Sequence, residues 1–110
     1  MIQACFQITA PAGMRAEILD VLLCLKGPTE VSPGCQSCRI LQDVENDRRL
    51  LLVACWETEA DLEQQLRSER FRRLLPYIEL SAEPPQIDFS TIDRVRGIEL
   101  LVAAMSGPHV

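Results

Sequence analysis

Histidine is almost missing from this chain: the only one, His109, sits in the terminal Gly107-Pro108-His109-Val110. A histidine-based metal centre is therefore excluded, because a structural zinc needs a full tetrahedral set of ligands. An excess of positive charge is missing too. The net charge is -5, and the arginines alternate with carboxylates. That balance excludes nucleic acid, whose capture needs a basic surface. No apolar stretch approaches the roughly 20 residues of a membrane span. The N-terminal MIQACFQITA has no basic region ahead of its apolar part, so it reads as a strand and not as a secretion signal. Repeats, low-complexity runs and interdomain linkers are also lacking. A chain of 110 residues forms one domain, 1–110, with a tail expected to fray from Ser106 onward. Five cysteines, an odd number without a secretory address, suit a reducing cytoplasm better than a disulfide framework.

What is present is a regular succession of elements. Ile2, Ala4, Phe6 and Ile8 alternate with Gln3, Cys5, Gln7 and Thr9, which predicts a strand. Pro11 suits a helix start, and Met14, Ile18, Val21, Leu22 and Leu25 form its apolar stripe, with Gly27-Pro28 expected to stop it. Pro33-Gly34 turns the chain into a second strand, Cys35 to Val44. Glu45-Asn46-Asp47 reads as a hairpin turn before a third strand, Leu50 to Trp56. Thr58 with Asp61 resembles a capping box ahead of a helix bearing Leu62 and Leu66. Ser68 caps a further short helix with Phe71, Leu74 and Leu75, ended near Pro76. Ile87–Ile92 and Ile98–Met105 read as fourth and fifth strands. The order predicts an α+β fold: a ferredoxin-like sandwich with an antiparallel sheet and both helices on one face.

Strands at 50–56 and 98–105 are apolar on both sides, and two helices cover only one face of a sheet. Leaving four or five large side chains wet would forgo about 1.5–3 kcal/mol each. The simplest cover is a second copy, sheet against sheet, so a homodimer with a barrel-like interior is expected.

Cys35-Gln36-Ser37-Cys38 invites a redox or metal reading. A reactive pair needs a helix N-terminus to lower the thiol pKa, and this one opens a strand. In a regular strand residues three apart face opposite sides, about 10 Å apart, so small buried thiols filling the sheet are the plainer reading. The arginines at 67, 70, 72 and 73 read as a solvated helical face.

The Ser32-Pro33-Gly34-Cys35 turn, the strand-end Trp56, the run DLEQQLRSERF at 61–71 and EPPQIDFSTI from Glu83 together resemble the antibiotic biosynthesis monooxygenase family, over nearly the whole chain. That resemblance implies a dimeric α/β barrel with an apolar chamber between helices and sheet in each subunit. It implies a cofactor-independent monooxygenase that oxidises a small phenol- or quinol-type aromatic with molecular oxygen. By position, Gln65 and Asp61 become the candidate catalytic residues, and Trp56, Phe71, Tyr77 and Phe89 the candidate pocket. Gln65 stands where many relatives carry histidine, and glutamine cannot accept a proton at neutral pH. The haem-degrading branch fits poorly, since Gln7, Gln65 and Leu75 stand at its asparagine, tryptophan and histidine positions. The alternative function is a non-catalytic dimeric barrel that binds a small apolar ligand. Trp56, Phe71 and Tyr77 also have a plain reading as packing residues, and Asp61 as a helix cap.

Overall fold

Alternation in the first strand and the polar turns between the next two build an antiparallel sheet in the computed structural model, which describes residues 1–107. In chain order the elements are β1 (Ile2–Thr9), α1 (Arg15–Glu30), β2 (Cys35–Asp43), β3 (Asn46–Trp56), α2 (Glu59–Leu66), α3 (Glu69–Arg72), α4 (Leu75–Glu79), β4 (Gln86–Thr91) and α5 (Ile98–Met105). The four strands lie in the order β2-β3-β1-β4, all antiparallel. This is a ferredoxin-like α+β fold, as the element order predicts.

The helices pack on one face because the apolar positions of strand and helix meet there. Ala4, Phe6 and Ile8 of β1 and Leu50, Leu52, Ala54 and Trp56 of β3 point toward α1 and α2, and all are buried. From above, Ile18, Leu22 and Leu25 of α1, Leu62 of α2 and Phe71 of α3 complete the core. Phe6 and Phe71 meet with ring centroids 5.3 Å apart. The opposite sheet face shows Cys5, Leu51, Val53 and Cys55, each only partly buried, and an exposed Leu41.

Five expectations need correction. Residues 98–105 are a helix and not a fifth strand. An apolar run on both sides does not distinguish strand from helix, and Leu100, Leu101, Ala103, Ala104 and Met105 are strong helix formers. The first helix begins at Arg15, after a turn in which Gly13 takes φ +82°, and not at Pro11. It also runs through Gly27-Pro28 to Glu30. Pro28 and the residue one turn back, Cys24, are both on the exposed side, where a carbonyl deprived of its amide partner is reachable by water. Pro76 opens the first turn of α4 and does not end a helix. The hairpin turns at Val44-Glu45, earlier than the sequence suggests, because Asp43 Oδ1 accepts the Glu45 amide at 2.8 Å.

The fifth correction concerns the cysteine pair. A bulge between Cys35 and Ser37 sets Cys35 opposite Trp56 and Cys38 opposite Ala54, so both thiols lie on the helix-facing side. Cys38 is buried, and burial first, then the neighbouring Cys35, push its thiol up to about 11. That is a filling thiol, unlike a reactive one. All five cysteines are free. The fraying expected from Ser106 falls mostly on residues 108–110, outside the described residues, as does His109.

Candidate functional site

Trp56 ends β3 with its side chain under the helices, 1 % exposed. The chain then turns into α2, where the Thr58 hydroxyl oxygen accepts the Asp61 amide at 3.2 Å and its O–H donates to the Asp61 carboxylate at 2.8 Å. The cap fixes the helix start, which places Asp61 and Gln65 one turn apart on the side facing the α1–β2 connection. Ser68 caps α3 in the same way through the Phe71 amide at 3.3 Å and brings Arg70 back toward Gln65.

Asp61 is held tightly. Gly34 opposite it takes φ +80°, and a Cβ built there would lie 2.1 Å from Asp61 Oδ2. The glycine therefore serves both the turn and the close approach of the carboxylate. Gln65 is 6 % exposed, and both the nitrogen and the oxygen of its amide are engaged. Its Nε2 donates to Thr29 Oγ1 at 2.9 Å, and its Oε1 accepts Arg70 Nη2 at 2.7 Å and Nε at 3.1 Å. The Thr29 hydroxyl donates in turn to Leu25 O at 2.7 Å, and Arg70 also donates to Ser32 Oγ. Gln65 thus orients an arginine.

Trp56, Asp61 and Gln65 share one open cleft of about 430 Å³ with Ser32, Ser68 and Arg70. Trp56, Gln65 and Phe71 also border the space directly between helices and sheet, but only about 10 Å³ is free there. The chamber expected beneath the helices is filled by Phe6, Trp56, Leu62 and Phe71. Tyr77 lies elsewhere, on a groove of about 500 Å³ between α1 and α4, with Val21, Cys24 and Leu25. Its hydroxyl donates to Glu17 at 3.1 Å, and that bond, with a smaller effect of burial, raises its pKa. Phe89 is half-exposed on β4, edge-on to Phe6 at 5.8 Å, in a shallow hollow with Leu62 and Leu66. The structure therefore brings Trp56, Asp61, Gln65 and Phe71 together and sets Tyr77 and Phe89 on two other surfaces.

Sequence reasoning missed Arg70, Thr29 and Ser32. Of the four arginines from 67 to 73, Arg70 alone is partly buried, and nothing in the run marks which one turns inward. Thr29 lay beyond the expected helix end. Among the described residues no group of His, Cys, Asp or Glu is arranged to hold a metal ion, and no helix is long and apolar enough to cross a membrane.

A four-stranded antiparallel sheet roofed on one side by helices, with a polar cleft beside a strand-end tryptophan, defines a ferredoxin-like α+β protein with a lateral pocket. The antibiotic biosynthesis monooxygenase family matches residues 1–76, and the chain belongs to that family. No curated protein matches the sequence. Among solved structures, the chain resembles a protein of Deinococcus radiodurans provisionally assigned as an antibiotic biosynthesis monooxygenase, with a TM-score of 0.81 at 14% identity, over 89% of this chain and 98% of that one. It resembles a Pseudomonas aeruginosa protein with a TM-score of 0.74 at 23% identity, over 86% and 94% of the two chains. A conserved Methanosarcina mazei protein gives 0.74 at 22% identity, over 81% and 89%. At these identities the likeness speaks for the fold alone.

Proposed function

We propose that this chain is a cofactor-independent monooxygenase that oxidises a small phenol- or quinol-type aromatic with molecular oxygen at the cleft bounded by Trp56, Gln65 and Arg70. In such a reaction the deprotonated, electron-rich substrate itself reduces oxygen. For an anthrone, the ring methylene becomes a carbonyl, and the second oxygen atom leaves as water with the two methylene hydrogens. The protein has to orient a flat ring and favour its anion. Among the described residues no histidine stands in this cleft, but a fixed cation does. Arg70 is held by Gln65 and Ser32, and its Nη1 has no acceptor among the described residues. A guanidinium so placed lowers the pKa of a phenol bound beside it and replaces a proton acceptor by stabilising the product of proton loss. This anchored arginine at the wall of the cleft is the observation that carries the reading.

Oxygen uptake with a panel of naphthohydroquinones and anthrones tests it. Arg70→Ala should lower kcat/KM by about 10²-fold, the typical cost of losing one positioned charge-stabilising donor. Arg70→Lys should recover part of that loss. No uptake with any panel member, or an Arg70→Ala variant as active as the parent, would overturn the proposal.

The filled interior favours a second reading, a non-catalytic barrel that binds a small apolar ligand. The α1–α4 groove, walled by Val21, Leu25 and Tyr77, is then the natural seat. Naphthol-induced thermal stabilisation without oxygen consumption, abolished by Val21→Asp and untouched by Asp61→Ala in the other cleft, would favour it.

A further inference from the structure

The groove between α1 and α4 carries opposite charge toward its two ends, with an apolar floor between them. One wall is a single stripe of α1, from Glu17 and Asp20 through Val21 to Leu25. The other is Arg70, Arg73 and Tyr77, spaced three and four residues apart. The two walls run antiparallel. At one end the Tyr77 hydroxyl donates to Glu17 at 3.1 Å. At the other, Gln65 and Ser32 hold Arg70 beside the C-terminal end of α1, where Gln65 also donates to Thr29 at 2.9 Å. The two carboxylates therefore stand toward the Tyr77 end and Arg70 at the opposite one. Asp20 and Arg73 take part in no ion pair among the described residues. From Glu17 to Leu25 the groove follows about 12 Å of helix.

We infer that this groove binds a zwitterion with an apolar middle, of the chemical class of a short peptide with free ends, its ammonium at Asp20 and Glu17 and its carboxylate at Arg73 and Arg70. Charge, length and floor all fit that occupant. A simple anion meets the two carboxylates, and a simple cation meets the two guanidinium groups. An uncharged apolar molecule uses the floor alone and leaves both charged pairs unmatched. Only a molecule with both charges complements the whole lining. A tripeptide spans about 10 Å between its charged ends, close to the length of the groove. The half-buried Val21 and the buried Leu25 give its central side chain an apolar seat. The free volume, about 500 Å³, lies within the usual size of a small-molecule site. Single exposed ion pairs contribute little, so recognition requires both ends and the floor together.

Calorimetric titration of the full chain with the tripeptide Ala-Phe-Ala, its N-acetylated form and its C-amidated form tests this. Iodoacetamide labelling of Cys24, an exposed thiol on the groove wall, reports the place of binding. The free tripeptide should bind saturably, and blocking either end should weaken it about 10-fold, the effect of losing one hydrogen bond to a charged group. Bound tripeptide should slow alkylation of Cys24 and leave that of Cys5, on the outward sheet face, unchanged. Arg73→Gln should weaken the free tripeptide and remove most of its advantage over the C-amidated form. Asp20→Asn should do the same against the N-acetylated form. Both side chains are exposed, so neither substitution endangers the fold, whereas Arg70 also walls the cleft and is left in place. No saturable binding at millimolar tripeptide, equal affinity for free and blocked forms, unchanged affinity in both variants, or unaltered Cys24 alkylation at saturation would each overturn the site. None of these readouts involves oxygen consumption, so failure of the proposed oxidation leaves the site standing, and failure of the site leaves the oxidation untouched.

Discussion

At position 65 a glutamine amide is shared between a buried threonine and an arginine, and this geometry decides what the residue can contribute. Nε2 is used by Thr29 and Oε1 by Arg70, so truncation leaves both partners short of a bond. Gln65→Ala should destabilise the protein by about 2–3 kcal/mol, the range for breaking a buried hydrogen bond to a charged group. Urea unfolding at constant slope checks this. Gly34 offers a sharper test. Gly34→Ala meets both a left-handed backbone and the Asp61 carboxylate, and the backbone part alone costs about 1–2 kcal/mol. In an Asp61→Gly background, which also removes the Asp61 Cβ that would lie 2.7 Å away, only the backbone part should remain, so the double variant should be less destabilised than the sum of the two single ones. Cys38 gives a pH signature. Its thiol is raised to about 11, whereas an unfolded thiol ionises near pH 8.5. The folded state therefore keeps a proton that the unfolded chain has lost, and stability should fall as pH rises from about 8.5 to 11. Cys38→Ala should flatten that decline in urea midpoints measured across the window.

At the scale of elements, the signals that worked were those with one structural meaning. Strict alternation gave β1, and Thr58 and Ser68 gave the starts of α2 and α3, because each cap satisfies a backbone amide that only a helix start leaves free. The signals that misled had two. Residues 98–105 are apolar apart from Glu99, so neither a period of two nor one of 3.6 stands out, and burial, which would arbitrate, is absent. The cleft was half legible. The resemblance brought forward Trp56, Asp61 and Gln65, but the cation beside them depends on a helix turn of a few residues whose inward arginine no periodicity marks. Pro28 misled for a similar reason: whether proline ends a helix depends on which face it occupies. Here it is exposed inside α1, so Pro28→Ala should restore a backbone bond at the expense of some chain stiffness. The intrinsic penalty of proline in a helix is about 3 kcal/mol, offset by about 0.4–1 kcal/mol of unfolded-state entropy. A gain of about 2–2.6 kcal/mol in urea unfolding is expected from these two terms, and a loss would show that Pro28 fits its site better than helix propensity allows.

The whole molecule presents a sheet finished on one side only. The helical side holds the core, and the outward side leaves Leu51 and Val53 partly open. In a lone chain, aspartate at position 53 would keep water contact and cost little, since substitutions away from the core stay within about 0.5 kcal/mol. In the sheet-against-sheet homodimer expected from the sequence, the same carboxylate would be trapped against an apolar partner, where an unpaired charge costs several kcal/mol. The two cases separate in how melting depends on concentration. Binding that favours the folded state raises Tm as protein concentration rises, so the parent should melt higher at millimolar than at micromolar concentration. Val53→Asp should lose that dependence and melt near the dilute parent value at both. If Val53→Asp instead lowers Tm equally at every concentration, the outward face contributes to the stability of the single chain, and its half-open apolar residues are explained without a second copy.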